Sequence, residues 1–185
     1  MYGPMIDQDE HDDDHARGPS DAPLVIVYAD FTCPFCAVAH ERLSDRHVRR
    51  VFRHLALKAK HPRAVPVARA SEAAALQGAF WAFHDAVYAD QSRIEDPHLW
   101  ALVERLGLDL DRFEADRRSD AVADRVRRQT HEAVLAGAMT TPTFFREGRP
   151  DQALYNDVVR QREAAKRRPA TERGPEERQN TYEQS

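Results

Sequence analysis

Leu24-Val25-Ile26-Val27-Tyr28-Ala29-Asp30-Phe31-Thr32-Cys33-Pro34-Phe35-Cys36 is the stretch whose reading decides the fold. Its first five residues are a short apolar run rich in β-branched side chains, the pattern of a strand buried on both faces. Pro34 fits the first turn of a helix, where its missing N–H costs nothing, and Val38 and Leu43 continue at helical spacing. Cys33 therefore falls at the N-cap of that helix. Val48 to Leu55 predicts a second strand, with imperfect alternation, and strand, helix and strand together read as a βαβ unit.

The chain has two cysteines, and both lie in this stretch. The nucleophile in thiol chemistry is the thiolate, and a helix N-terminus favours an anion through its unpaired N–H groups and its dipole. In such a place a thiol pKa near 8.5 falls to roughly 3.5–7.5. Two intervening residues put the second sulfur one helical turn away, within bridging distance. Cys33 is thus the candidate attacking thiol and Cys36 the resolving one, with Pro34 and Phe35 between them. Half of a zinc site is the competing reading, but structural zinc takes four ligands and no second cysteine pair exists. His40, His47, His54 and His61 recur every seven residues, yet fall across a helix, a strand and a loop. No metal and no cofactor are expected.

Working outward, residues 1–20 are acidic and aperiodic and are expected to be a disordered leader. The segment His11-Asp12-Asp13-Asp14-His15 reads as solvated tail, with weak metal binding as the sharper alternative. A folded domain is expected over 21–168, with a helical insertion at about 62–137 and a charged, disordered tail over 169–185. Inside the insertion, helices are predicted over Ala64–Gln77, Phe80–Ala89, Pro97–Leu106, Asp109–Arg117 and Asp120–Ala136. Phe80, Trp81 and Phe83 read as its core. Thr143-Phe144-Phe145 predicts a third strand, Gln152–Leu154 a fourth, and Val158–Lys166 a closing helix. The class is α/β, a thioredoxin-like plan with a helical insertion between the second and third core strands.

Asp30-Phe31-Thr32-Cys33-Pro34-Phe35-Cys36, then Phe52-Arg53-His54, Phe80-Trp81 with His84-Asp85, and Thr141-Pro142-Thr143-Phe144-Phe145 occur in the order found in the DsbA-like thioredoxin-fold family of bacteria, which the chain resembles over about residues 14–160. The residues alone leave Pro142 as either a strand start or a cis X–Pro. The resemblance implies that Pro142 is cis and faces the sulfurs, and that Thr141 contacts Cys33 and offers its backbone to a substrate polypeptide. It also implies thiol–disulfide exchange. Two departures stand out: Val27 occupies the place, six before the first cysteine, where relatives usually carry Glu, and Thr140 stands where they often have Gly.

The expected partners are protein or small thiol or disulfide substrates and a redox partner for regeneration. The formal net charge of −4 gives no reason for nucleic acid, and no run approaches the roughly 20 apolar residues of a membrane span. Met1 to Gly18 is polar with no apolar core of a signal, so a cytoplasmic place is expected, and a monomer is the expected state. Two other readings remain: a thioredoxin-like binding or holdase protein without turnover, and a glutathione-dependent isomerase or transferase on the related fold. Retention of both cysteines favours the redox enzyme.

Overall fold

The computed structural model describes residues 9–160. Its strands are β1 (His15–Arg17), β2 (Leu24–Ala29), β3 (Arg49–His54), β4 (Thr143–Arg146) and β5 (Arg149–Pro150). They form one sheet in the order β1-β3-β2-β4-β5. The helices are α1 (Pro34–Ser44), α2 (Ala64–Ala75), α3 (Phe80–Ala89), α4 (Asp96–Arg105), α5 (Leu110–Arg118), α6 (Asp120–Leu135) and α7 (Gln152–Tyr155), which runs into a π-helical turn at Asn156–Arg160. β2 and β3 are parallel and joined through α1, whereas β1, β4 and β5 pair antiparallel to their neighbours. This is a thioredoxin-like α/β fold, with α2 to α6 inserted between β3 and β4.

The alternation of β2 explains its position at the centre. Val25, Val27 and Ala29 enter the larger core with Phe31, Leu43, Phe52, Phe83 and Phe144. Ile26 and Tyr28 enter the opposite core with Val51, Leu55 and Phe145. A strand wet on neither face has no polar positions to show, so its sequence is one apolar run. β3 alternates imperfectly because Arg50, Arg53 and His54 are buried with partners: Arg53 forks onto Asp14 (3.0 and 2.6 Å) and His54 Nε2 bonds Glu72 (2.7 Å).

Three expectations change. The leader does not extend to residue 20, because His15–Arg17 form β1 and pair with Phe52, Val51 and Arg50. The acidic residues before it reach arginines on the body, Glu10 on Arg49 and Asp13 on Arg125 and Arg128. Gly18 turns the chain out of β1 at φ +110°, where a Cβ would stand 2.3 Å from the Val48 carbonyl oxygen. Gln152–Leu154 is helical, not a strand, since the Asp151 carboxylate accepts the Leu154 N–H at 2.8 Å and caps α7. The strand that follows β4 is instead Arg149–Pro150, reached through Glu147 (φ 51°) and Gly148 (φ 70°), the two positive φ values a tight hairpin turn requires. The closing helix is described only to Arg160; its remainder, the first eight residues and the tail lie outside the described residues.

Candidate active site

The chain leaves β2, turns at Asp30, and enters α1. The Asp30 carboxylate accepts the Thr32 N–H and hydroxyl, each at 2.8 Å, and its carbonyl accepts the Cys33 N–H at 3.1 Å. Asp30 is thus the residue that shapes the turn. Cys33 is the N-cap of α1 with extended backbone (φ −88°, ψ 119°), and its carbonyl accepts the Cys36 N–H at 3.1 Å. Its side chain makes no capping bond, and the sulfur lies beside the first N–H groups of the helix.

Across the gap, the Thr141–Pro142 peptide bond is cis, and the Cys33 thiol donates to the Thr141 carbonyl at 3.3 Å. The structure therefore brings Cys33, Pro34, Phe35, Cys36, Thr141 and Pro142 to one place, from two segments more than a hundred residues apart. Cys33 is partly exposed and Cys36 is 2% exposed. Phe35 stands out into solvent at the mouth of an open groove of about 810 Å³ running along α1 against α3 and Val159.

The two thiols are driven in opposite directions. A hydrogen bond from the Cys36 thiol, helped by the Thr141 side chain and the Cys36 and Phe35 backbone, overcomes desolvation and lowers the Cys33 pKa to about 6. Burial, then the neighbouring Cys33 sulfur, pushes the Cys36 thiol well above its ordinary value. The arrangement favours the thiolate at the partly exposed Cys33 and the protonated thiol at the buried Cys36.

Two residues of this site carry no local signal. Gln91 donates from its Nε2 to the carbonyls of Phe31 (2.7 Å) and Cys33 (2.9 Å), and the Tyr88 hydroxyl donates to the Asp30 carbonyl (3.3 Å). Both lie near the end of α3 and clamp the active turn to the insertion. Phe80 and Phe83 are core; Trp81 covers the edge of the sheet, donating to the Ala16 carbonyl at 3.1 Å under the Arg17 guanidinium. The acidic leader cluster is engaged with arginines: Asp13 with Arg125 and Arg128, Asp14 with Arg53.

Residues 10–156 match the family model described as Thioredoxin. The chain is 47% identical over 154 residues to the protein named Na(+)/H(+) antiporter NhaA 3 of Salinispora tropica, covering 78% of this chain and 23% of that one. It spans about a quarter of the length of the curated relatives it matches. Its fold is similar to that of a thioredoxin-like oxidoreductase from Silicibacter pomeroyi DSS-3, with TM-score 0.68 and 22% identity over 83% of this chain and 94% of that chain. It is also similar to alpha-DsbA1 of Wolbachia pipientis, with TM-score 0.61 and 22% identity over 74% of this chain and 75% of that chain. Among the described residues no helix is long and apolar enough to cross a membrane.

Proposed function

The chain belongs to the thioredoxin family and has the fold of its DsbA-like members, and on that premise we propose that it is a thiol–disulfide oxidoreductase working through Cys33 and Cys36. The observation that carries the reading is the placing of the two thiols, a partly exposed Cys33 at the N-cap of α1 against Thr141 and a buried Cys36 one turn into the helix, and the opposite directions of their pKa shifts agree with it. Cys33 thiolate attacks a substrate disulfide and forms a mixed disulfide, releasing one substrate sulfur as thiolate. Cys36 then attacks Cys33, releases the second substrate sulfur, and closes the Cys33–Cys36 disulfide. Two electrons pass from the dithiol to the substrate, and the reverse sequence oxidises a substrate dithiol. Protein or small disulfides enter over Phe35 and the Thr141 backbone, and a second redox partner restores the pair.

Insulin reduction driven by dithiothreitol tests the reading. The wild type should accelerate precipitation, Cys33→Ser should not, and Cys36→Ser should accumulate mixed disulfides. Capture of an unfolded protein with no turnover by the wild type would instead make the chain a binding protein.

The match to a quarter of proteins named Na(+)/H(+) antiporter supports a second layer of this reading, in which the redox unit acts beside an ion-transporting membrane part. Exchange by inverted vesicles holding the Salinispora tropica relative should then change on thiol reduction. Transport indifferent to reductant removes that layer.

A further inference from the structure

Cys36 must lose a proton before it attacks, and its burial opposes that loss. Against it lies a small cavity of about 30 Å³, enough for one water molecule, lined in part by Cys36, Val27, Arg50, Tyr88, His84 and His40. Among the described residues no carboxylate lines it. His40 and Tyr88 also line the open groove beside Phe35, so these two side chains form the wall between the buried thiol and solvent.

His40 is suited to carry a proton through that wall. It lies one turn after Cys36 on the same face of α1. Its Nε2 is 3.4 Å from Asp85 Oδ1, and its Nδ1 is buried with no hydrogen-bond partner among the described residues. With the ring proton on Nε2 towards the carboxylate, Nδ1 offers a free lone pair; this tautomer follows from the network. Asp85 is held in turn by a fork from Arg17 (3.0 and 2.8 Å) and by His84 Nδ1 (2.9 Å), and its carboxylate lines the groove. The His84 ring stands edge-on to His40 at 4.6 Å. Arg50 donates to the His40 carbonyl at 3.2 Å, and Glu41 is the next residue of α1. Tyr88 is a poor acceptor, because burial favours its neutral phenol, and Arg50 is permanently charged.

We propose that His40 is the proton acceptor for Cys36, taking the proton across the small cavity at Nδ1 and returning it to solvent on the Asp85 side. The inference rests on the redox reading above. In the reductive direction the Cys36 S–H bond breaks, the proton passes to the imidazole, and the thiolate attacks Cys33. The Cys33–substrate bond breaks, and the substrate sulfur leaves with the electron pair. In the oxidative direction the imidazolium returns the proton to the leaving Cys36. Burial, Arg50 and Arg17 lower the basicity of His40 while Asp85 and Glu41 raise it, and the balance leaves it neutral and able to accept at neutral pH. His84, Asp85 and Arg17 act as positioning residues.

Stopped-flow reaction of the reduced full chain with Ellman's reagent separates the steps. The first thionitrobenzoate leaves as Cys33 attacks, and the second as Cys36 resolves the mixed disulfide. In the wild type the second release should rise to a plateau through an inflection below neutral pH. In His40→Gln it should be slowed about a hundredfold at neutral pH, the usual worth of a positioned base, and should climb with hydroxide towards the wild-type rate. In His40→Ala, added imidazole should restore it. Circular dichroism and the first release report whether each variant is folded with a reactive Cys33. A wild-type profile in His40→Gln overturns the inference. So does slowing by one factor at every pH without imidazole rescue, or loss of the low-pH arm in Asp30→Asn in place of His40→Gln. Absence of the first release in the wild type sinks the redox reading and this inference together.

Discussion

Cys33 and Cys36 are the same residue type three positions apart, and their difference comes from where one helical turn places them. Cys33 caps α1 and meets N–H groups, the Cys36 thiol and Thr141, whereas Cys36 is buried in the larger core that also holds Ala39 and Phe52. Because the Cys33 pKa is lowered to about 6, its thiolate fraction grows as pH rises through that value and is nearly complete at neutrality. Iodoacetamide alkylation of the reduced chain should therefore label Cys33 alone at first, with a rate that climbs to an inflection near pH 6. First labelling at Cys36, or an inflection near the free-thiol value, would contradict this geometry. The pair was legible because all its determinants are contiguous: apolar strand, cysteine, proline, cysteine. Gln91 was not, since its amide joins Phe31 and Cys33 from about sixty residues downstream and a lone glutamine carries no pattern. Gln91→Ala should take the donor from the Phe31 carbonyl, while the Cys33 carbonyl keeps its helical N–H donors, and cost about 1–3 kcal/mol, read from urea unfolding, with faster alkylation of a loosened Cys33.

At the scale of elements, the acidic leader shows what composition conceals. Asp13 and Asp14 look like solvated charge in the sequence, because the arginines that receive them lie far off on β3 and α6. Periodicity could not show that a three-residue strand, His15–Arg17, would cap the sheet edge. Once β1 pairs with β3, Asp14 and Arg53 are both nearly inaccessible to water (side chains 1% and 3% exposed). A buried charge stripped of its partner is left uncompensated, at about 3–5 kcal/mol. Asp14→Ala should lower stability by that amount in urea unfolding, whereas Glu10→Ala, at a surface pair with Arg49, should cost about 1 kcal/mol or less. Equal, small effects at both positions would mean that the arm does not hold β3. The helical insertion is easier to read: Phe80–Ala89 is found as expected, and α5 and α6 begin within a residue of their expected starts, capped by the Asp109 and Ser119 side chains. Gln152–Leu154 fits a strand in the sequence because three residues with two apolar side chains suit either period, and only the Asp151 cap decides for helix.

For the whole molecule, the two halves of the chain are joined by buried ionisable groups, and that ties stability to pH. Glu72 on α2 receives His15 from β1 (2.8 Å) and His54 from β3 (2.7 Å), with Arg125 of α6 at 2.8 Å from its other oxygen. These hydrogen bonds, working against burial, hold the Glu72 carboxyl well below the usual carboxylate range. Asp85 is held down likewise by His84 and Arg17, and Asp96 is lowered to about 2 by Arg117 and Arg63. Burial lowers His54 and brings His84 to about 4. Every one of these shifts means that the unfolded chain binds its proton at a higher pH than the folded one. Acid therefore favours unfolding twice. The histidine contribution is complete above the unfolded value of about 6.5 and is lost as pH falls towards about 4. The carboxylate contribution is complete above about pH 4.3 and is lost below it. The melting temperature should hence decline already between pH 7 and 5, before any carboxylate titrates, and fall more steeply below about pH 4. Removing the first component isolates it: in His84→Gln the decline between pH 7 and 5 should become shallower while the steep acid limb remains. A wild-type melting temperature flat from pH 7 to 5 would show that His54 and His84 are not held neutral in the interior, and would remove the buried network as the joint between the sheet and the inserted helices.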